Sequence, residues 1–140
     1  MLVGVLVPAL LSRWRLADPL GLRIAGASLL TVALALVAYT MSSFVRRGRG
    51  TPAPWSPPER FVAVGAYSVV RNPMYVGVLL AVLAQSLLFG SLAVLAWAGA
   101  LAAIFHAFVV LYEEPGLRRR FGAEYDAYRA RVPRWLRLRL

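Results

Sequence analysis

Four stretches of the chain are almost purely apolar, and polar residues gather between them. They cover residues 1–16, 22–45, 73–89 and 91–112. The last three approach the roughly 20 residues that a helix needs to cross the hydrocarbon core of a bilayer, whereas the first is apolar over only about half that length. The pattern predicts an all-α integral membrane protein, a single domain over residues 1–140, with about four transmembrane helices.

The last two apolar stretches are separated by Gly90 alone, which predicts a helical hairpin with an uncharged turn.

The segment after the fourth apolar stretch has a different pattern. After Pro115-Gly116, hydrophobic residues recur at spacings of three and four along 117–132. They are Leu117, Phe121, Tyr125, Tyr128 and Val132. This spacing predicts a C-terminal amphipathic helix on the cytoplasmic face of the membrane.

Charge supports the membrane assignment. The chain is 60% hydrophobic and 16% charged, and its formal net charge of +10 comes from 16 basic residues, all of them arginine. These arginines flank apolar stretches, which favours membrane lipids as partners and argues against nucleic acid. Most lie in the loop 46–71 and in the tail, so the positive-inside rule predicts that both termini are cytoplasmic. The membrane is expected to be a bacterial-type inner membrane, which rests on the resemblance described below and not on charge. With no cysteine and one histidine, no metal site is expected.

The segment before the third stretch contains candidate binding residues. Asn72 can cap a helix, and Pro73 suits its first position because its missing N–H would be unpaired there. The positive end of the helix dipole, with Arg71 beside it, is a natural place for the carboxylate of a ligand. The alternative is that Asn72 and Pro73 only begin the helix and Arg71 only anchors it at the headgroups.

Acidic residues at the end of the fourth stretch need a cationic partner. Glu113 and Glu114 are adjacent at a position where lipid favours arginine, so a ligand cation or a salt bridge to Arg118 or Arg120 would explain them. His106 lies seven residues before Glu113 and projects in nearly the same direction on an α-helix. It is a candidate base, or a polar side chain bonded to a neighbouring helix.

Five motifs follow one another at a characteristic spacing. They are Gly65-x-Tyr67, Val70-Arg71-Asn72-Pro73-Met74-Tyr75-x-Gly77, Glu113-Glu114-x-x-Leu117, Phe121-Gly122-x-Glu124-Tyr125-x-x-Tyr128 and Val132-Pro133-Arg134-Trp135. The ordered set resembles the isoprenylcysteine carboxyl methyltransferases and their bacterial relatives, which share a membrane fold with phospholipid N-methyltransferases. Two positions depart from that pattern: Asn72 replaces the histidine of the eukaryotic enzymes, and Leu136-Arg137 replaces a usual proline.

The resemblance implies an enzyme that binds S-adenosylmethionine from the cytosol and a lipid-like acceptor from the bilayer. The cofactor-binding residues that it implies are Arg71, Asn72 and Tyr75 at the amino-acid end, Glu113 and Glu114 at the positively charged groups, and Tyr125, Tyr128 and Arg134 in the lid of the pocket. The catalytic candidates are Arg71, Glu114 and His106.

The need for a base distinguishes the possible methyl acceptors. A lipid carboxylate is nucleophilic as it stands, whereas an amine or hydroxyl must first lose a proton to a base. Because few bases are available, a carboxylate acceptor is favoured, and a phospholipid or other lipid amine is the alternative.

Two non-methyltransferase functions compete with this interpretation. A proton-coupled exchanger would need an acidic group within a span, yet all six acidic residues lie outside the apolar stretches or at their ends. A non-catalytic adaptor for anionic lipid would share the basic tail, but it would not explain paired glutamates beside an Arg-Asn-Pro cap.

Overall fold

The computed structural model describes residues 2–12, 16–17, 19–48 and 63–136, and every regular element in this part of the chain is helical. A π-helical turn, Leu2–Leu6, leads into α1 (Val7–Ser12), and α2 is Leu20–Gly48. A 3₁₀ turn, Gly65–Ser68, precedes α3 (Pro73–Phe89) and α4 (Leu92–Phe108), and a second π turn, Val109–Glu113, joins α4 to α5 (Glu114–Arg131). Most of the predicted loop 46–71 and Arg137 lie outside the described residues.

The predicted helices agree with the structure to different degrees. Helix α3 has the predicted bounds, and α2 extends the predicted stretch by a few residues at each end. Among the described residues, two helices are long and apolar enough to cross a membrane: Leu20–Ser43, with a mean hydropathy of 2.0, and the helix beginning at Leu92, with 2.2. The apolar α3 is shorter, at 17 residues. The four-span arrangement therefore stays a prediction.

The chain divides into two compact units. The first unit contains Met1–Leu36 and Tyr75–His106, and the second contains Val37–Met74 and Ala107–Leu140. In the first unit, α3 and α4 form the predicted hairpin. Its turn places Gly90 at a φ of 58°, a conformation that glycine adopts without a steric penalty. The hydroxyl of Ser91 then accepts a 3.3 Å hydrogen bond from the N–H of Val94 and caps α4.

The core of the first unit is apolar. Its buried members are Val82, Val94, Ala98 and Leu101, packed against Val78, Leu79, Leu83, Trp97 and Phe105. The last two turns of α3 also contact other segments of the first unit. Gln85 Nε2 donates to the carbonyl of Gly4 at 2.7 Å, and a Cβ on Gly26 would lie only 2.7 Å from the backbone nitrogen of Leu88. Backbones that approach so closely require glycine.

In the second unit, the helix does not stop where the sequence predicted. The amphipathic helix was expected to start at residue 117, but α5 begins at Glu114, directly after the π turn, with Pro115 in its first turn. A proline is tolerated there because the first N–H groups of a helix have no intrahelical acceptor. The helix instead bends at Gly122, where φ is 51° and ψ is −125°.

The predicted hydrophobic stripe packs together across this bend. Tyr125, Tyr128 and Val132 are buried, with Ala63, Leu117 and Phe121 packed against them. The prediction was therefore right about which residues share a cluster, but the predicted helix over 117–132 is interrupted at Gly122, where the positive φ redirects the chain. The position of this segment on a cytoplasmic membrane face stays a prediction.

Candidate functional site

The second unit contains a buried ion-pair cluster centred on Glu114. Oε1 of Glu114 accepts hydrogen bonds from Nη1 of Arg71 at 2.8 Å and from Nε of Arg134 at 2.6 Å. Oε2 accepts a third from Nη2 of Arg134 at 3.0 Å. The side chains of Glu114 and Arg71 are 9% and 11% exposed, and that of Arg134 is 30% exposed. Both carboxylate oxygens are thus occupied by guanidinium groups.

Backbone groups hold the two arginines in place. The N–H of Arg71 donates to the carbonyl of Pro133 at 2.9 Å, and Asn72 Nδ2 donates to the carbonyl of Arg134 at 3.1 Å. The segment before α3 is therefore tied to the segment after α5 at two successive residues. Each side of this connection supplies one arginine to Glu114.

A third hydrogen bond extends the connection toward the aromatic cluster. The hydroxyl of Tyr128 donates to the backbone carbonyl of Tyr67 at 2.6 Å. Tyr67 lies in the 3₁₀ turn that begins at Gly65, where φ is 61°. The hydroxyl of Tyr39 occupies the position that a Cβ on Gly65 would take, so this turn needs glycine both for its conformation and for space.

The cluster carries an excess of positive charge. Two arginines face one glutamate, which leaves a formal charge of +1. In addition, Nε of Arg71 is buried and has no hydrogen-bond partner among the described residues. A buried donor without an acceptor costs about 1–3 kcal/mol, so this atom favours an anionic or carbonyl ligand. The described residues contain no group of three acidic or histidine side chains that could hold a metal ion.

The charges also shift the ionisation of the cluster. Burial acts to raise the pKa of Glu114, but the hydrogen bond from Arg134 and the charge of Arg71 outweigh it and lower that pKa below its usual value. The hydrogen bond to Glu114 raises the pKa of Arg134. Burial, assisted by the charge of Glu113, raises the pKa of Tyr67 to about 12. Glu114 is therefore ionised and Tyr67 is neutral near pH 7.

The structure brings together most of the residues that the sequence singled out. Arg71, Asn72, Glu114 and Arg134 form the cluster. Tyr125 belongs to it as well: burial raises the pKa of its hydroxyl, and a hydrogen bond with Arg71 acts in the opposite direction. Tyr128 joins through the carbonyl of Tyr67, and burial raises its pKa too.

The hydrogen bonds described for the cluster do not involve the other predicted site residues, Tyr75, His106 and Glu113. Tyr75 and His106 belong to the first unit, where the Tyr75 ring packs on Phe105 at a centroid distance of 4.7 Å and His106 is exposed in the last turn of α4. Glu113 is half-buried, and its charge acts on Tyr67.

For Glu114, the alternative of a salt bridge to Arg118 or Arg120 was wrong. Arg118 pairs with Asp126 at 3.3 Å, and the guanidinium of Arg120 lies over the ring of Phe121 at 5.7 Å. The partners of Glu114 are instead Arg71 and Arg134, which lie 43 and 20 residues away in the sequence.

Comparison with known families identifies the chain. The family model for phospholipid methyltransferases matches residues 22–124, or 103 of the 140 residues. The chain belongs to the phospholipid methyltransferase family. Neither a curated protein nor a solved structure matches it. The resemblance predicted from the motifs is thus confirmed at the level of the family, and the two long apolar helices agree with a membrane methyltransferase.

The phospholipid methyltransferase match covers only part of the cluster. It includes Arg71, Asn72 and Glu114 but ends before Tyr125 and Arg134. The association of the tail with the cluster therefore depends on the contacts of this structure. Sequence reasoning did not include Tyr67 in the site, although the Gly65-x-Tyr67 motif signalled it, because its contribution is a backbone carbonyl.

Proposed function

We propose that the protein is an S-adenosylmethionine-dependent methyltransferase that acts on a lipid-like acceptor in the membrane. One observation carries this proposal: a member of the phospholipid methyltransferase family has a buried Arg71–Glu114–Arg134 cluster with a surplus positive charge. The proposal extends the family assignment to a cofactor, a site and a class of acceptor.

The cluster fits the anionic end of this cofactor. S-adenosylmethionine has a carboxylate, and arginine binds carboxylates through several directed N–H groups. Arg71 has a buried Nε without an acceptor, and Arg134 brings the second guanidinium. We assign Arg71 and Arg134 to the carboxylate, with Asn72 at the same amino-acid end. The cofactor-binding role that the resemblance implies for Tyr75 stays a prediction. Tyr125 and Tyr128 are assigned to the lid of the pocket.

The two glutamates receive different roles. Glu114 accepts three hydrogen bonds from arginines, so its charge is already compensated. Glu113 keeps the role of binding a positively charged group of the cofactor. The two glutamates, for which the resemblance implies one shared role, are thus assigned separate roles.

The chemistry needs little from the protein. When bound, S-adenosylmethionine supplies an activated methyl group on a sulfonium, so the chain has only to orient the reactants and exclude water. The buried Tyr125 and Tyr128 contribute an apolar surface beside the cluster, which suits water exclusion.

A carboxylate is the acceptor that the ionisation states favour. Glu114 is a poor base because its pKa is lowered and both its oxygens accept hydrogen bonds, and Tyr67 is neutral near pH 7. Glu113 and His106 are then the bases to consider, and Glu113 is assigned to the cofactor. A lipid amine is the second candidate, favoured by the phospholipid methyltransferase match itself.

Cofactor binding tests the proposal directly. Purified protein in detergent is titrated with S-adenosylmethionine, and Arg71→Met is compared with Arg118→Met. We expect the first substitution to weaken binding about tenfold to a hundredfold, since a charged hydrogen bond is lost, and the second to have little effect. Arg118 is the matched control because its side chain is 61% exposed and pairs with Asp126. A parent protein that does not bind the cofactor would favour the lipid-binding adaptor instead.

The pH dependence of methyl transfer tests the acceptor. A carboxylate with a pKa near 4 is ionised from about pH 6 upward, so the rate at saturating cofactor should be nearly flat between about pH 6 and 8. An amine acceptor must first lose a proton to a base, so its rate should instead fall steeply as the pH decreases. If His106 is that base, His106→Gln should lower the rate by the roughly 10²–10⁴-fold typical of general base catalysis. Such a result would move the assignment to a lipid amine.

Membrane topology is tested by single cysteines, since the native chain has none. We propose four spans with both termini cytoplasmic and membrane lipids as partners. Cysteines at Leu92, beside the hairpin turn, and at Arg46, at the end of α2, are both at exposed positions. An impermeant external thiol reagent should label the first and not the second in intact cells. The reverse pattern would invert the orientation.

A further inference from the structure

The π turn Val109–Glu113 immediately precedes the glutamate of the cluster. In it, the N–H of Glu114 donates to the carbonyl of Val109, five residues earlier. Val109 is 1% exposed and Glu114 is 7% exposed. The residues at the two ends of this hydrogen bond are therefore both buried.

Helix geometry shows why this turn matters. In an α-helix, residue i+4 lies about 40° around the axis from residue i, and residue i+5 lies about 140° away. Glu113 would then share the azimuth of buried Val109, and Glu114 would point to another side. The wider i→i+5 turn brings residue i+5 back toward residue i. One inserted residue thus changes which of two adjacent glutamates faces inward.

We infer that the π turn selects Glu114 over Glu113 as the carboxylate of the arginine cluster, and that Glu114 is a positioning residue. It holds Arg71 and Arg134 together for the anionic end of a ligand and does not contact that ligand itself. The second part rests on the proposed function, because it names the carboxylate of S-adenosylmethionine as that anionic end.

The bonding pattern supports a positioning role. Arg134 uses two donors in a bidentate pair with Glu114, whereas Arg71 bonds to Glu114 through Nη1 and has a buried Nε without an acceptor among the described residues. Two guanidinium groups that converge without a counter-charge would repel each other. Glu114 removes this repulsion and leaves a surplus charge of +1 for the ligand.

A ligand that lacks the carboxylate separates the two glutamates. Glu114→Gln and the matched control Glu113→Gln are each titrated with S-adenosylmethionine and with decarboxylated S-adenosylmethionine. If Glu114 acts through the arginines on the carboxylate, its substitution should weaken binding of the first ligand about tenfold or more and of the second less than about threefold. Glu113→Gln should weaken both ligands by a similar factor, because Glu113 is assigned to a positive group that both retain.

These four titrations have outcomes that can be told apart. Equal losses for both ligands in Glu114→Gln would show that Glu114 contacts the cofactor directly, and a carboxylate-dependent loss in Glu113→Gln would show that Glu113 occupies the cluster. Either result would overturn the inference. Failure of the parent to bind either ligand would count against the proposed function. The helical register that places Glu114 in the cluster can then be tested by residue deletions, which need no ligand.

Two single-residue deletions test the register without any cofactor. Leu111, in the π turn, is 77% exposed, and its removal would convert the turn to an α-turn while Glu114 stays one turn from Val109. Arg119, exposed on α5, is the control, because its removal would rotate the following residues by about 100° relative to Glu114.

We expect the protein without Leu111 to keep its thermal unfolding temperature in detergent within a few degrees, and to be destabilised by Glu114→Gln as the parent is. The protein without Arg119 should unfold at a clearly lower temperature. Equal losses from the two deletions would show that no residue is inserted at Val109–Glu113, and the selection of Glu114 by a π turn would be wrong.

Discussion

The two units of the chain are stabilised by different interactions. In the first, apolar and small residues pack closely, and its buried polar side chains, such as Gln85 and Ser86, bond to backbone carbonyls. In the second, ion pairs and side-chain-to-backbone bonds join segments that are distant in sequence. Close packing of apolar and small residues is suited to a lipid environment, where packing drives the association of helices. Ion pairs that involve arginine instead leave directed N–H donors for a ligand. Substitutions in each unit should therefore fail for different reasons.

The largest effect is expected from overpacking the first unit. Gly26→Val should reduce the free energy of unfolding by about 3 kcal/mol, because its Cβ would lie 2.7 Å from Leu88 N and 2.9 Å from Ala84 O, and backbone atoms cannot move aside. Gly99→Val is the matched control, since no atom lies within 4 Å of its Cβ. Thermal unfolding in detergent measures both. Similar losses in the two variants would mean that the close contact of Gly26 does not stabilise the unit.

The ion-pair cluster gives the second largest effect. Glu114→Gln should reduce the free energy of unfolding by about 2 kcal/mol, because charged hydrogen bonds to two arginines are lost. Asp126→Asn is the control, since the side chains of its pair with Arg118 are 61% and 39% exposed, more than those of the cluster, and an exposed pair contributes little to stability. If Asp126→Asn reduces the free energy of unfolding by as much as Glu114→Gln does, the buried cluster stabilises the second unit no more than a more exposed ion pair does.

The same variant should change the acid stability of the protein. The arginines hold the pKa of Glu114 below its usual value, so the stability it contributes is complete above its unfolded pKa of about 4.3. That contribution is lost as the pH falls through the lower folded pKa. Acid titrations of the parent and of Glu114→Gln should therefore converge at low pH. A constant difference between them at all pH values would show that the carboxylate charge is not what stabilises the cluster.

The predictions from sequence succeeded where the signal was local. The bounds of α3 and the turn at Gly90 follow from Asn72-Pro73 and from one glycine between apolar stretches. The partners of Glu114 could not be found this way, because periodicity reports neighbours three or four residues apart and therefore suggested Arg118. The actual partners are 43 and 20 residues away. The π turn was also missed, since its inserted residue has no side-chain signature.

A smaller effect should come from the glycine that begins the 3₁₀ turn. Gly65→Ala should reduce the free energy of unfolding by about 1.5 kcal/mol, partly from its positive φ and partly from the Tyr39 hydroxyl. Tyr39→Phe removes that hydroxyl, so the double variant should regain the steric part and keep the conformational part. Gly116→Ala, which would meet no atom within 4 Å, serves as the control. If the changes in the free energy of unfolding from Gly65→Ala and Tyr39→Phe simply add in the double variant, the Tyr39 hydroxyl does not occupy the space that the Cβ of residue 65 would take.

The smallest effect tests whether the second unit also depends on single hydrogen bonds. Tyr128→Phe keeps the buried ring but leaves the carbonyl of Tyr67 without the donor that reaches it at 2.6 Å, so the free energy of unfolding should fall by about 1 kcal/mol. Tyr112→Phe is the matched control, because Tyr112 is 57% exposed and its ring is not part of the buried cluster. Cofactor binding should weaken with the first variant only, since the turn that carries Tyr67 leads directly to Arg71. Unchanged unfolding and binding in Tyr128→Phe would mean that the ion pairs alone hold this segment to the tail.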